Sequence, residues 1–362
     1  MLEWYGATSE VPWLFLLAAW ILALMAATFA YAAWNRSGLR LRLEAGGSRP
    51  AAASPVEALP DNLLRSAPWP APVFEGDGLE LQVGLTTKGA PRGPAWVTGL
   101  VGGRPVTFGT GLVTRDGWQR VEVLQRLRRG AIGATGWQLS TSDPLGFFSS
   151  VRSCPDVEVA VVLPLFTSLV SSRQPRELEA SLAAPRAGSG NELFGIREYR
   201  PGDSLRRIHW RSSARHGELV VREYEPPGMR TLALFVDPSP PSVEVADQVA
   251  RLAASEAWDC IREGGRVSLW APGLAPTEPS HGRDLWALLE WLARYPGAPS
   301  GGVDAYPQTG EVAVITGSAD RRLIDAAEHA KQRGAGVRAW VVGDAELDLD
   351  APAQRVGTEW PL

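Results

Sequence analysis

The stretch from Val11 to Trp34 contains no charged residue, and it constrains the fold more than any other part of the chain. A bilayer core about 30 Å thick needs about 20 apolar residues in a helix, so the stretch is long enough for one membrane span but not two. A buried helix of a soluble domain would show a polar face, which this stretch lacks. Its apolar core is longer than that of a cleaved signal peptide, and no basic residue precedes it. We therefore predict a retained transmembrane helix over residues 11–34.

Basic residues flank this helix on its C-terminal side alone. Arg36, Arg40 and Arg42 follow it, and no Lys or Arg precedes it. Because cytoplasmic flanks of membrane helices carry an excess of Lys and Arg, we expect residues 1–10 outside the cell and the rest of the chain in the cytoplasm. The sequence thus predicts a single-pass protein of the cell membrane whose first partner is the lipid bilayer.

Composition excludes several other classes of protein. The net charge of −4 is unlike the strongly basic balance of nucleic-acid-binding domains, so we expect no nucleic acid partner. Two cysteines far apart in sequence exclude a disulfide framework. With 362 residues, of which 45% are apolar, the chain is long enough for two folded soluble domains.

The first soluble domain has the pattern of short strands. Residues 35–72 are assigned to a linker, because residues 46–72 are rich in small residues and proline. Over residues 73–165, apolar side chains alternate in short runs bounded by Gly and Pro, which predicts a β-sandwich-like module. Asp143, Pro144 and Gly146 have the spacing of a type I turn, after which Phe147 and Phe148 are expected to form an apolar plug.

The second domain, residues 231–350, alternates short apolar strands with amphipathic helices. This rhythm predicts an α/β fold with a parallel, doubly wound sheet. Ligands of such sheets bind at the carboxyl ends of the strands, which places Asp237, Ser239 and the Gly317–Ser318 corner at the edge where a site would lie. Residues 166–230 connect the two domains, and residues 351–362 are assigned to a C-terminal tail.

Asp237, Ser239 and Pro241 occupy the positions of an Asp-x-Ser-x-Ser motif at the end of the first strand. The strand and its motif resemble those of von Willebrand factor type A domains, in which the motif holds a divalent metal through oxygen ligands. Pro241 has no side-chain oxygen, and Thr316–Ser318 follow the later strand where those domains place an acidic ligand. We therefore regard Asp237 and Ser239 as remnants of a metal motif, predict no metal site, and expect Asp237 to cap the next helix.

Catalytic motifs are absent from the sequence. It contains no Gly-x-Ser-x-Gly, no Walker-type Gly-x-x-x-x-Gly-Lys and no His-Glu-x-x-His. We expect no catalytic residues, no cofactor and no enzymatic activity.

The segment around Arg206, Arg207, Arg211 and Arg215 allows two interpretations. Arg side chains grip carboxylates and phosphates, so the segment could be a docking surface for an acidic partner. Alternatively the arginines pair internally with the acidic residues that surround them: Glu192, Glu198, Asp203, Glu218, Glu223 and Glu225. Gly202 and Asp203 are expected to form a turn and a helix start, and Trp210 to be buried in core.

The residues from Asn191 to Glu225 are similar to the signature of a bacterial family catalogued as domain of unknown function 58. The positions carried over as candidates for partner binding are Gly195, Arg197, Tyr199, Gly202, Asp203, Arg206, Arg207, Trp210, Arg211, Arg215 and Arg222. The resemblance implies a membrane protein that acts with a MoxR-type AAA+ ATPase, with a transglutaminase-like membrane protein as a further partner. Relatives carry a pair of N-terminal spans, whereas this chain has a single one.

Two hypotheses about function follow. In the first, the chain is a cytoplasm-facing adaptor or scaffold in the assembly or maturation of a client protein. In the second, it is an outward-facing envelope protein that uses its β-module for adhesion or wall binding. The arginines after the anchor favour the first hypothesis.

Overall fold

The computed structural model describes residues 12–69, 72–170, 193–198, 208, 210, 213–214, 217–224, 230–274, 284–297, 306–307 and 309–360. The chain divides into two compact units. The first unit contains Met1–Ala52 and Pro70–Val162, and the second contains Ala53–Trp69 and Leu163–Leu362.

Helix α1, Pro12–Gly38, contains the predicted span. Large apolar side chains on it are exposed within the unit, with Trp20 at 75% and Phe29 at 62%. In length and composition the helix is compatible with a single membrane span. It continues past Trp34 because Asn35, which is buried, packs against the β-module at the end of the apolar run.

The rest of the first unit consists of two antiparallel sheets that enclose a common apolar core. One sheet has the order β1-β3-β6, with strands β1 (Leu39–Arg49), β3 (Gly78–Thr87) and β6 (Trp118–Leu124). The other has the order β2-β9-β7-β4-β5, with β2 (Val73–Phe74), β9 (Val157–Leu163), β7 (Gly130–Ser142), β4 (Ala95–Val101) and β5 (Arg104–Thr110), and β8 (Ser149–Ser153) pairs with β7. Alternate side chains of β3, from Leu79 to Leu85, are buried in the core, as the pattern predicts.

Strand β1 occupies residues that the sequence pattern assigned to a linker. Its leucines alternate with charged residues, and Leu41 lies opposite Leu85 of β3. Leu39 is fully buried, and Leu41 and Leu43 pack against the same core. The alternation is that of a half-buried strand. It was missed because the intervening arginines were interpreted solely as the flank of the membrane helix.

The second unit is built on a parallel sheet with the order β13-β12-β14-β15-β16. Its strands are β12 (Thr231–Val236), β13 (Arg266–Trp270), β14 (Glu311–Thr316), β15 (Gly336–Val342) and β16 (Ala353–Val356). Helices α3 (Val243–Arg262), α4 (Leu285–Arg294) and α5 (Arg321–Gln332) accompany it. The helical side chains Leu323 and Ala327 of α5 pack on one face, while α3 packs on the other through Glu256, which bonds Arg338. The predicted parallel sheet with helices on both faces is therefore present.

Strand β16 lies in the region assigned to a C-terminal tail. It pairs in parallel with β15, so that Trp340 lies opposite Gln354. The strand is four residues long and no more than half-buried, as expected at a sheet edge. A short, polar edge strand carries too little apolar pattern to be detected from sequence. The second unit also contains a 3₁₀ turn (Pro55–Ala58), helix α2 (Asp61–Arg65), and a hairpin of β10 (Leu193–Glu198) and β11 (Val220–Tyr224).

Candidate functional site

The strand order of the parallel sheet reverses between β12 and β14, which are neighbours although β13 lies between them in sequence. The chain therefore leaves these two strands in opposite directions and opens a crevice at their carboxyl ends, where ligands of doubly wound sheets bind. Asp237 directly follows β12, and Gly317 and Ser318 directly follow β14. We call this edge the rim, defined by residues 237–243 and 316–320. The structure thus brings together the rim residues that the sequence singled out.

The carboxylate of Asp237 is the centre of the rim. The side chain is fully buried, and Oδ2 accepts hydrogen bonds from Thr316 Oγ1 at 3.0 Å, Gly317 N at 2.9 Å and Ser318 N at 2.7 Å. Its Oδ1 accepts from Ser239 N and from Ser318 Oγ, both at 2.9 Å. One carboxylate therefore ties the loop after β12 to the loop after β14.

Two helices begin at the rim with their own caps. Ser242 Oγ accepts from Val245 N at 3.3 Å at the start of α3, and Asp320 Oδ1 accepts from Leu323 N at 3.2 Å at the start of α5. The expectation that Asp237 caps the next helix is wrong. Ser242 stands immediately before α3 and is closer to its free N–H groups, so Asp237 remains available to the facing loop.

Close packing fixes the geometry of the rim. A side chain at Gly317 would overlap Val245 Cγ1 of α3, so the loop after β14 must carry glycine to approach the helix. The buried Tyr295, which follows α4, donates its hydroxyl to the main-chain carbonyl of Asp237. Tyr295 was missed from sequence because it is far from β12 along the chain and belongs to no motif.

The chemistry of the rim differs from that of an oxygen-lined metal site. An ionised carboxylate has about four lone-pair positions, and five donors already point at Asp237. Pro241 offers no side-chain oxygen. Within the part of the chain that the structure describes, no three His, Cys, Asp or Glu side chains are grouped as metal ligands would be. The expected absence of a metal stays a prediction. Its physical reason is that hydrogen bonds already occupy the carboxylate oxygens that would bind the ion.

The family-signature positions are only partly within the described residues. Gly195 and Arg197 lie on β10 and Arg222 lies on β11, with Ile196 opposite Arg222. Tyr199, Gly202, Asp203, Arg206, Arg207, Arg211 and Arg215 lie outside the described residues. The two interpretations of the arginines therefore both stand.

Trp210 is exposed to 66%, so its expected burial is wrong. Ile208 is buried instead, at 4% exposure. Ile208 has the pairing of a β-bridge whereas Trp210 is helical, so the two residues do not lie on one helix.

A second buried polar cluster lies toward the amino ends of the strands, at the end of the sheet opposite the rim. Arg338 Nη2 bonds Glu256 Oε2 at 2.7 Å and its Nη1 bonds Glu311 Oε2 at 3.0 Å. Arg230 contacts Glu311 through Nε and Nη2, each at 2.9 Å, and Trp340 Nε1 donates to Glu256. Burial alone raises the pKa of Glu311, but the two guanidinium groups outweigh it and hold that pKa below its ordinary value. The cluster extends to the surface, where Arg230 Nη1 bonds Glu263 Oε2 at 2.6 Å, and it holds α3 on the sheet.

Comparison with known proteins supports the family resemblance. A family model described as "Protein of unknown function DUF58" matches residues 195–300. The uncharacterized protein YeaD of Bacillus subtilis (strain 168) is 24% identical over 153 residues, which is 41% of this chain and 38% of that protein. Among solved structures, a complex of the Amycolatopsis orientalis exo-chitosanase CsxA with PNP-beta-D-glucosamine aligns over 87% of this chain and 33% of its own, at 10% identity and a TM-score of 0.20. At that TM-score the alignment carries no argument about fold or function.

Proposed function

We propose that this chain is a membrane-anchored, non-enzymatic adaptor whose second unit, an α/β domain like von Willebrand factor type A, docks a MoxR-type AAA+ ATPase through its rim. The docked pair would act in the assembly or maturation of a client protein, and a transglutaminase-like membrane protein is a further candidate partner. The choice of ATPase comes from the family resemblance of the signature segment, and the choice of a cytoplasmic location comes from the arginines that follow the anchor.

The observation that carries the proposal is the saturated carboxylate of Asp237. In an intact type A motif the aspartate and serines help to hold a divalent cation through their oxygens. Here five protein donors occupy the carboxylate, and their hydrogen bonds join the two rim loops. Such a rim is preorganised, and it would bind a partner by direct contact between protein surfaces.

The exposed surface of the rim has the composition of a protein interface. Pro241 and Ala319 are exposed, and Val243 is exposed to 57%. Charged residues lie at the margin, where Arg321 and Arg322 begin α5. An apolar centre surrounded by polar and charged groups is the usual anatomy of a specific interface. We place the centre of the docking surface at Val243.

Trp210 supplies a second candidate contact. A tryptophan exposed to 66% lies within the matched family region, and tryptophan is enriched among the residues that dominate binding energy. An exposed tryptophan contributes little to the stability of its own chain, so Trp210 can be replaced to test binding separately from folding.

The proposal is tested by the affinity of the full chain in lipid nanodiscs for a purified MoxR-type ATPase from the same genome. Val243→Arg places a long cation at the centre of the rim and should weaken binding by at least about tenfold, as expected for loss of a central contact. Gln332→Arg is the matched control, because Gln332 ends α5 about 17 Å from its start at the rim. It introduces the same charge and should bind like the unaltered protein.

Two outcomes would overturn the proposal. One is equal affinity of Val243→Arg and Gln332→Arg for the ATPase. The other is binding that requires Mg²⁺ and disappears with a chelator when nucleotide is absent, since the rim would then act through a cation. Trp210→Ala measures the second contact separately, and its thermal unfolding should stay close to that of the unaltered chain.

A further inference from the structure

One end of the β-module gathers three loops around the last turns of α1. Strands β4, β5 and β7 place Ala95, Thr110 and Thr141 side by side at this end. The loops that leave it are residues 88–94, 111–117 and 143–148, and we call them together the proximal end. The opposite end carries the β4–β5 hairpin at Gly102 and Gly103, about 20 Å away along the seven residues of β4.

Helix α1 is fixed to the proximal end by specific contacts. Tyr31 donates its hydroxyl to Gly93 O at 2.6 Å, and Asn35 Nδ2 donates to Ser142 O at 3.2 Å. Two residues before Tyr31, the ring of Phe29 meets the ring of Phe148 edge-on, with centroids 5.5 Å apart. The anchor and the loops therefore have a defined relation within the first unit.

These contacts place part of the 143–148 loop at the depth of the membrane. Trp34 ends the apolar stretch, and tryptophan rings prefer the membrane–water interface, so Trp34 marks the level of that interface. Phe29 lies five residues earlier, about 7 Å further into the span. Because the ring of Phe148 touches Phe29, the loop reaches past the interface marked by Trp34 and beside the lipid-exposed surface of the helix.

The tip of this loop is apolar, exposed and held rigidly. Leu145 is exposed to 56% and Phe147 to 62%. Asp143 fixes the turn, because its Oδ2 accepts from Leu145 N at 2.9 Å and its Oδ1 from Phe148 N at 2.6 Å. The predicted turn is confirmed by the bond from Gly146 N to Asp143 O at 3.1 Å. Phe147, however, does not plug the module as expected, because it projects from the tip.

Basic side chains lie around the same end. Arg36, Arg40, Lys88 and Arg115 are exposed there. Arg92 is 8% exposed and lies over the ring of Trp34 at 4.0 Å, and among the described residues its Nε and Nη1 have no hydrogen-bond partner. Arg92 thus packs beneath the interfacial tryptophan, and the exposed Arg36, Arg40, Lys88 and Arg115 are the cations that can reach phosphate groups at the membrane surface.

We propose that the proximal end is a membrane-contact surface, in which Leu145 and Phe147 insert into the leaflet beside the anchor while the surrounding cations bind anionic headgroups. This inference depends on the membrane span of α1, which belongs to the proposed function. The occupant is lipid rather than another protein, because contact with Phe29 puts the loop at the depth of the acyl chains. Apolar groups at such a surface are buried about 5–10 Å into the headgroup boundary.

The test uses the full chain in vesicles of phosphatidylcholine and phosphatidylglycerol, with Cys154 and Cys260 replaced by alanine. Phe147→Cys is labelled with an environment-sensitive fluorophore and exposed to a lipid that carries a nitroxide high on its acyl chain. We expect most of the fluorescence to be quenched, with a blue-shifted emission and little quenching by aqueous iodide. Arg104→Cys, exposed at the opposite end of the module, is the control and should be quenched by iodide alone.

A label at Leu22→Cys separates the inference from the span on which it depends. Leu22 is 56% exposed and lies in the middle of α1. Suppose that the label at position 22 is quenched by a nitroxide deep in the acyl chain, while the label at position 147 is quenched by iodide like the label at position 104. In that case α1 spans the bilayer and the membrane-contact surface is refuted. If Leu22 too is accessible to iodide, the span itself is refuted, and with it the basis of the proposal. Replacement of Phe147 by serine should leave folding intact, because its side chain is mostly in solvent.

Discussion

Replacement of Asp237 by alanine tests whether a carboxylate, rather than a metal ion, holds the rim together. The change removes the acceptor of five hydrogen bonds. The N–H of Gly317 is buried and loses its acceptor, whereas the N–H groups of Ser239 and Ser318 are partly exposed and can turn to water. A buried donor without a partner costs about 1–3 kcal/mol, and each bond to a charged acceptor contributes about 1.5–3 kcal/mol. After partial recovery through water, we expect a net loss of roughly 3 kcal/mol.

The assay is thermal unfolding of the full chain in detergent, followed by tryptophan fluorescence. For a unit of this size each kcal/mol shifts Tm by about 2–4 °C, so Asp237→Ala should lower Tm by about 6–12 °C. Asp237→Asn is the matched variant. Its amide oxygen can keep the Oδ2 bonds, while its NH₂ group faces the N–H of Ser239, so we expect roughly half the loss.

Divalent cations separate the two explanations. We expect the Tm of the unaltered protein to be the same in a chelator and in millimolar Mg²⁺ or Mn²⁺, and calorimetry to find the same cation affinity in the unaltered protein and in Asp237→Ala. Cation binding tighter than millimolar that vanishes in the variant would refute the account of the rim. So would a Tm of Asp237→Ala equal to that of the unaltered chain.

Three other substitutions probe the second unit. Gly317→Ala forces its new methyl group against Val245 and should cost about 1–3 kcal/mol, measured by urea unfolding; an unchanged midpoint would mean that α3 can move aside freely. Arg338→Met removes the cation that pairs with buried Glu256, while Glu311 keeps Arg230, and should cost about 3–5 kcal/mol at pH 7. The pKa of Glu311 is lower in the folded chain than its ordinary value of 4.5, so ionised Glu311 stabilises the fold above pH 4.5 and this stabilisation is lost as pH falls through the folded pKa. Arg338→Met weakens this effect, so the Tm of the variant should fall less in acid than that of the unaltered chain. Trp286→Phe removes an indole N–H that donates to the segment before β2 and should cost about 1 kcal/mol, with faster proteolysis of that segment as the readout.

The α/β fold could be predicted from sequence because its signals are long and regular. The strands that begin at Thr231, Arg266, Glu311 and Gly336 are apolar runs separated by helices, and the structure has a strand at each of these places. The position of Asp237 at the carboxyl end of its strand also followed from the pattern. The partners of its carboxylate could not be predicted, since they depend on which loop faces it across the reversal of strand order.

The sequence-based assignment of β1, Trp210 and residues 353–356 was wrong. The arginines of β1 were interpreted as a membrane flank, although the leucines between them alternate as in a strand. Trp210 was assigned to the core, whereas the structure leaves its side chain 66% exposed. Residues 353–356 carried no strand signal of their own, because this edge strand is held by its hydrogen bonds to β15 rather than by an apolar pattern.

The cytoplasmic location of the soluble units is tested most directly by thiol labelling of Arg120→Cys in intact cells, with Cys154 and Cys260 replaced by alanine. Arg120 is exposed on β6, so accessibility to a membrane-impermeant maleimide reports the side of the membrane on which the first unit lies. A cytoplasmic adaptor for an AAA+ ATPase requires that Arg120→Cys stay unlabelled in intact cells and become labelled once the membrane is permeabilised. Labelling in intact cells would place the soluble units outside, where the ATPase cannot reach them, and would contradict the proposed function.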